Sequence, residues 1–421
     1  MAPKRILMAT FGSFGDVHPY MAVALGLQSR GHRATIATSA LYKSKIEAEG
    51  IGFHAVRPDF SPEDTGILKL AMDRRKGTEY VLREMVLPHL RGSYEDLAEA
   101  AAHADLLLTH PLIFAGPMIA QKTGLRWASS VLAPLSFLSI YDPPVPAPAP
   151  WLAKLYRLGP PMSRLIIGLA RLGIRSWSDP VRQLRAELGL PPGADPIFEG
   201  QHSPDLVLAM FSPLLGAPQP DWPPNTRVTG FPFYDRLDKG VALAPELAQF
   251  LDAGPPPIVF TLGSSAVMAA GDFYQQSAAA AASLGRRAVL LVGREPANRL
   301  AGSLPHGVVA FDYAPFSEIF PRAAVIVHQG GVGTTAQALR SGRPMLVVPF
   351  SHDQPDNAAR AIRLGVARQL SRAQYKAHRV TAELGALLDD SRYTATAAQV
   401  GRRIQLEDGV SAACYALEQL L

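Results

Sequence analysis

Residues 328–360 read HQGGVGTTAQALRSGRPMLVVPFSHDQPDNAAR, directly after the apolar run AVIV. This is the pattern of a buried strand, a glycine turn, a helix, a second buried strand and a polar loop. Gly330, Gly331 and Gly333 let backbone N–H groups come close to a ligand. A helix opening there aims its unpaired N–H groups and the positive end of its dipole at an anion. Thr334 and Thr335 add hydroxyl donors, and His328 adds a ring donor. After the second strand, PFSHDQPDN supplies Asp353 and Gln354, whose acceptors and donors suit several hydroxyls at once. The structural alternatives are a tight turn with a buried histidine, and an Asx turn capping a helix that begins near Pro355.

Working outward, the same alternation of short apolar runs and helical patterns fills the chain. RILMAT, ATIAT, DLLLTH and LVLAM in the first half, and IVFTLG, AVLLVG, VVAF, AVIVHQ and MLVVPF in the second, have the composition of strands buried on both faces. PYMAVALGLQSRG and SYEDLAEAAAH between them have helical patterns. The series starts twice, at Arg5 and at Pro257, which predicts an α/β protein with two doubly wound parallel-sheet domains and ligand loops at the strands' C-terminal ends. The expected division is 1–235 and 236–400, with a linker in VTGFPFYDRLDKG (Val228–Gly240). Residues 401–421 are expected to form a helix returning to the first domain. YDPPVPAPAPW (Tyr141–Trp151) is too rich in proline for regular structure and reads as a surface excursion.

The bulk numbers fit this picture. A chain of 421 residues suits two domains, and 48% hydrophobic against 18% charged residues allows large cores. A net charge of +5 without a basic stripe or motif gives no ground for nucleic acid as a partner. The single cysteine, Cys414, excludes an internal disulfide and favours a cytoplasmic setting. The first apolar run breaks at Gly12, which reads as a first strand rather than a secretory signal. There is no GxxxxGK(S/T) loop, FGSFGD does not match GxGxxG, and neither a DxD triplet nor a zinc spacing occurs. No cofactor and no metal are therefore expected, and any diphosphate must be held by helix ends and side chains.

The run 328–360, with HQGG, GTT, GRPMLVVPF and HDQPDNA, resembles the nucleotide-sugar box of family 1 glycosyltransferases. FTLGSS (Phe260–Ser265) and DYAPFSEIFPRA (Asp312–Ala323) are similar to that family's donor-domain loops, and TFGSFGDVHPYMAVALGLQSRGH to its first loop and helix. The resemblance is to bacterial members related to sterol glucosyltransferases and to the rhamnosyltransferase of rhamnolipid synthesis. It implies the GT-B fold, two Rossmann-like domains facing across a cleft, the first binding acceptor and the second the nucleotide sugar. It further implies that His328, Ser264 and the N–H groups of Gly331, Val332, Gly333, Thr334 and Thr335 hold the diphosphate. Tyr313 and Ala314 would hold a uracil-type base, and Asp353 and Gln354 the sugar hydroxyls. Many relatives carry a glutamate for the ribose where this chain has Gln337, which leaves uridine and thymidine both open.

Transfer needs a base for the acceptor hydroxyl. SFGDVHPY supplies Asp16 and His18 just after the first strand, and LLLTHPL supplies His110. In plant relatives a histidine aligned with Asp16 is the base and an aspartate its partner; here Asp16 is the favoured base, with His110 or His18 beside it, the base role stays open to His18 and His110, and helix capping is the alternative for Asp16. The expected activity is inverting transfer of a hexose, from UDP-glucose or alternatively dTDP-rhamnose, to a hydroxyl of a phenol, sterol, terpenoid or hydroxy lipid. The alternative of another class is a non-catalytic nucleotide-sugar-binding protein. WASSVLAPLSFLSIYDPP (Trp127–Pro144) suggests an apolar acceptor wall, with plain core packing as the alternative. Residues 151–176 carry Lys154, Arg157, Arg164, Arg171 and Arg175 and no acid, which fits either an amphipathic helix pair or a peripheral contact with the inner face of a membrane. A monomer is expected.

Overall fold

The computed structural model describes residues 2–60, 65–234, 243–300 and 302–421. The expected junction between 235 and 236 lies outside the described residues.

Strands β1 (Arg5–Ala9), β2 (Arg33–Thr38), β3 (Gly52–Ala55), β4 (Leu106–Thr109), β5 (Arg126–Val131), β6 (Leu206–Ala209) and β7 (Thr226–Val228) form one parallel sheet, ordered β3-β2-β1-β4-β5-β6-β7. Strands β8 (Ile258–Thr261), β9 (Ala288–Leu291), β10 (Val308–Phe311), β11 (Val325–His328), β12 (Met345–Val347) and β13 (Ala367–Gln369) form a second, ordered β10-β9-β8-β11-β12-β13. All pairings are parallel, and the central strands β4, β6, β8, β9, β11 and β12 are buried along their whole length. In each sheet the order reverses once, between β1 and β4 and between β8 and β11. Loops leaving neighbouring strands at such a point diverge and open a crevice. This positions the loops after β1 and β4 in one half, and after β8 and β11 in the other.

The strand patterns of the sequence are found in place, and four further strands join them. Edge strands β3, β7 and β13 are short and half-exposed, so no apolar run marks them. Strand β5 buries hydroxyls: Ser130 bonds the Tyr20 hydroxyl at 2.6 Å and Ser129 accepts the Ser203 N–H at 2.9 Å. Of the two readings of 127–144, core packing holds for the apolar residues Val131 and Phe137. Val131 and Phe137 belong to a core cluster, where Phe137 stacks on Trp222 at 4.1 Å.

Helix α1 (Phe14–Ser29) opens in a capping box: Ser13 Oγ accepts the Gly15 N–H, and the Asp16 carboxylate accepts the Ser13 N–H at 2.7 Å. Helices α2 (Ala115–Thr123), α3 (Pro160–Gly173) and α4 (Asp179–Glu187) follow in the first half. Helix α5 (Val332–Ser341) leaves the glycine turn after β11, and α6 (Gln354–Arg363) leaves the loop after β12. Gly330 makes the α5 turn with φ +95°, where a Cβ would meet Val347 Cγ1 at 2.8 Å. Helix α7 (Gly409–Leu420) crosses back and packs on α1, with Ala413, Cys414 and Leu417 in the core of the first sheet.

The proline-rich excursion is not a free surface loop. Its Val145 N–H donates to Asp356 on α6 at 3.0 Å, and its Asp142 carboxylate pairs with Arg360 and, at 3.1 Å, with Arg363. Arg360 is buried, and its Nε donates to Asp356 at 2.6 Å. This charge cluster ties the helix of the second half to the first. Removing one member of a buried ionic group strands the others without a counter-charge, at a cost of about 3–5 kcal/mol. Arg360→Ala is expected to lose stability of about that size, measured by urea unfolding.

Candidate active site

The two switch points face each other. From the first sheet come Asp16, in the first turn of α1, and His110, immediately after β4. His110 Nδ1 accepts the Leu112 N–H at 3.2 Å, and burial pushes the ring's pKa down to about 3, so the ring is neutral. With Nδ1 accepting, the proton sits on Nε2, which lies 3.7 Å from Asp16 Oδ1. Asp16 is half-buried, and desolvation pushes its pKa up to about 6 against the opposing effect of the Ser13 hydrogen bonds. The structure therefore joins Asp16 and His110. His18 stands apart: two residues along α1 is roughly 200° around the helix, and its ring lies between Phe14 and Tyr234, at centroid distances of 5.1 and 4.9 Å. It is not beside Asp16, which corrects its expected placement as an orienting neighbour.

From the second sheet come the glycine turn and the start of α5. The N–H of Val332 donates to Asp353 Oδ2 at 3.2 Å, and Asn357 holds the same oxygen at 2.7 Å. Asp353 has its pKa pushed up to about 7, first by desolvation and then by the like charge of Asp16. Gly331, Gly333 and the buried Thr334 and Thr335 form the rest of the turn and first coil, with Thr335 Oγ1 buried and unbonded. A Cβ on Gly333 would sit 3.6 Å from Gly15 Cα, so the N-termini of α5 and α1 approach each other.

Two expected placements in this half are revised. His328 is fully buried within the sheet; its Nδ1 accepts the Gly330 N–H at 3.1 Å and its Nε2 lies 3.3 Å from Met345 Sδ. It fixes the turn from behind and directs no donor to the turn's mouth. Neighbouring residues on a strand point to opposite faces, so the following residue, Gln329, takes that direction. Its Nε2 lies beside Gly263, Gly331 and Thr334, and its Oε1 is buried without a partner. Strand alternation beyond His328 is the sequence signal that points to Gln329. Gln354 turns inward, where its Oε1 accepts the N–H groups of Phe350 and Ser351 and pins the loop. Gln337 Oε1 accepts from Arg340 at 2.8 Å. Ser264 lies exposed on the loop after β8; Tyr313 is exposed and Ala314 buried on the loop after β10. Among the described residues no group of three or more His, Cys, Asp or Glu side chains is arranged to hold a metal ion.

Comparison with known proteins agrees with this geometry. Residues 279–407 match the family described as erythromycin biosynthesis protein CIII-like, C-terminal domain, and residues 6–90 match the glycosyltransferase family 28 N-terminal domain. The O-mycaminosyltylonolide 6-deoxyallosyltransferase of Streptomyces fradiae is 30% identical over 427 residues, covering 99% of this chain and 97% of that protein. A sterol 3-beta-glucosyltransferase of Cryptococcus neoformans is 28% identical over 99% of this chain, which spans only 27% of that protein's length. Among solved structures, the glycosyltransferase of kitacinnamycin superposes with a TM-score of 0.74 at 21% identity, over 100% of both chains. The Streptomyces sp. SF2575 glycosyltransferase SsfS6, complexed with thymidine diphosphate, gives 0.66 at 19% identity over 99% of both.

The revision of His328 is testable. Gln329→Ala should weaken binding of a nucleoside diphosphate by about tenfold, the size of one lost hydrogen bond to a charged group, with little change in melting temperature. His328→Ala should lower the melting temperature instead and leave the affinity of the folded protein nearly unchanged. Calorimetric titration with thymidine and uridine diphosphates, alongside thermal melts, separates the two; the reverse pattern restores the imidazole as the ligand.

Proposed function

The chain belongs to the family 1 glycosyltransferases and has their GT-B fold, and from that premise we propose that it is an inverting enzyme that moves a hexose from a nucleoside diphosphate to a hydroxyl of an apolar acceptor. The observation that carries this reading is the facing of the Asp16–His110 pair by the amino end of α5 across the cleft. The first half is the acceptor side and the second the donor side; of 401–421, residues 401–405 stay packed on the second half and Gly409–Leu420 returns to the first.

The chemistry follows from these positions. The acceptor hydroxyl gives its proton to the Asp16 carboxylate, and its oxygen bonds to the anomeric carbon. The bond from that carbon to the diphosphate breaks on the opposite face, so the configuration inverts. The departing charge is met by the Gly333 and Thr334 N–H groups, the Thr335 hydroxyl and the Gln329 amide, donors fixed before reaction begins. His110 presents Nε2–H toward Asp16 at 3.7 Å and orients the carboxylate once the pair closes on the acceptor. The leaving group is stabilised by this donor set without a metal. Asp353 takes the sugar hydroxyls.

Of the two donors expected, a thymidine diphosphate-linked deoxyhexose has more support than UDP-glucose. The Streptomyces fradiae relative is named for a 6-deoxyallosyl transfer, and Gln337, held by Arg340, offers the ribose no carboxylate. The same relative's tylonolide and the sterols of the others support a natural-product or sterol-like alcohol as acceptor. A peripheral lipid contact through 151–176 rests on a separate observation. Helix α3 turns Leu165, Leu169 and Leu172 outward, and Lys154, Arg157, Arg164 and Arg175 have no ion-pair partner among the described residues. Among those residues no helix is long and apolar enough to cross a membrane.

Asp16→Asn keeps the size and the capping ability, so a capping role predicts little change. As the base, Asp16 predicts a fall of about 10²–10⁴-fold in kcat with donor affinity retained. A carboxylate base acts only when ionised, so the wild-type rate should rise with pH through about 6 and level above it. The product formed from an α-linked donor should be the β-glycoside by NMR, and the rate should persist in EDTA. A retained rate in Asp16→Asn, or an α-glycoside, overturns the mechanism; loss in EDTA restored by Mg²⁺ overturns the metal-free donor site.

The lipid contact is checked by sedimentation with phosphatidylglycerol vesicles. Binding should vanish in phosphatidylcholine vesicles and in Leu165→Asp/Leu169→Asp; equal behaviour of all four combinations removes the contact.

A further inference from the structure

Behind His110, on the side away from Asp16, lies a cavity of about 150 Å³ between α2, β5, α4 and the segment 193–204. Its walls are mostly apolar: Pro111, Phe114, Met118, Trp127 and Val181 contribute. Arg185 of α4 lines the same space and is 8% exposed. Its Nη2 donates to Gln121 Oε1 at 2.9 Å and to the Pro191 carbonyl at 2.7 Å, while its Nε is buried and donates to nothing. No carboxylate lies within ion-pair distance of it among the described residues. Glu199, the acid on the cavity wall, is half-exposed and engaged by Arg171. The guanidinium rests flat on Gly193, where a Cβ would come within 2.8 Å of Cζ. His202, on the same wall, also has a buried nitrogen, Nδ1, without a partner.

This arrangement is costly as it stands. Arginine stays protonated at any ordinary pH, and a buried cation without a counter-charge carries a desolvation penalty that neutral carbonyl and amide partners offset only in part. Burial acts on Arg185 in that sense, lowering its pKa from the usual arginine value. Folding without an internal partner leaves the charge for something else to neutralise. An apolar cavity of about 150 Å³ has room for a single aromatic ring.

We infer that this cavity binds a small organic carboxylate with an apolar, ring-sized body, whose carboxylate pairs with Arg185. The ligand is either an acidic arm of the acceptor itself or a separate small molecule. The inference does not depend on the transfer reaction, because binding alone tests it. It does touch catalysis, since His110 is shared between the cavity wall and the Asp16 pair.

The probe is benzoate, with benzamide as its uncharged analogue of the same shape. In the wild-type protein benzoate should bind one to one by calorimetry and raise the melting temperature; benzamide should do neither. Arg185→Met should bind benzoate about tenfold more weakly or worse, as expected for loss of charge-assisted bonds. Its melting temperature without ligand should change little, because the loss of the hydrogen bonds to Gln121 and Pro191 is offset by removal of the buried, uncompensated charge. Benzoate should also change the tryptophan fluorescence, and Trp127→Phe should remove that change. Equal binding of benzoate and benzamide, or of neither, by the wild-type protein overturns the proposal whatever the variants do. So does a fluorescence response that survives Trp127→Phe. Once binding is established, inhibition kinetics assign the source: competition with the acceptor marks an acceptor arm, and an altered kcat at constant acceptor KM marks a separate molecule.

Discussion

A parallel sheet covered on both faces has no room for chemistry inside it. The strands β4, β8 and β11 are buried from end to end, and a polar side chain within them must be satisfied locally or sealed away. Function is thereby displaced to the strands' carboxyl ends, and among those ends to the place where strand order reverses. Both sheets obey this constraint independently, and their two reversal points look toward each other. Asp16, its imidazole neighbour His110, the glycine turn and the two N-terminal helix ends are all consequences of where the strands stop.

The same constraint explains what was legible in the sequence. Uninterrupted apolar runs gave the central strands, and glycines behind a strand gave the diphosphate turn, because both signals are local. Asp16 and His110 were legible because each directly follows such a run. The roles of His328 and Gln329 were harder, since one residue of register decides which faces the ligand and which the core. The imidazole is the more reactive side chain, but the strand's alternation assigns the outward position to its neighbour. Gln354 misled for a related reason: an amide suited to sugar hydroxyls is equally suited to two backbone N–H groups in a tight loop.

Other features had no local signal at all. The Asp142–Arg360–Asp356 cluster joins residues more than two hundred positions apart, and nothing in a proline-rich stretch announces that it will meet α6. Arg185 sits in an ordinary amphipathic helix with the composition of a solvated surface, and only the fold shows that its head group is enclosed. Burial is a property of the assembled chain. It turns an unremarkable arginine into a charge in want of a partner, and an aspartate at a helix cap into a group that titrates near 6.

Helix α7 gives the architecture a direction in time. Its Ala413, Cys414 and Leu417 complete the core against α1, Cys414 Sγ reaches the Val23 carbonyl at 3.6 Å, and Glu418 clasps Arg30 at 2.7 Å and His32 at 3.1 Å. The helix that carries Asp16 precedes the whole second sheet in the chain, and the helix that supports it follows that sheet. A nascent chain can close the nucleotide-binding half while the other still has an open flank on α1. Asp16 thus precedes in sequence the other residues of the candidate site, and the helix that carries it takes its last packing partner from a segment that follows them all.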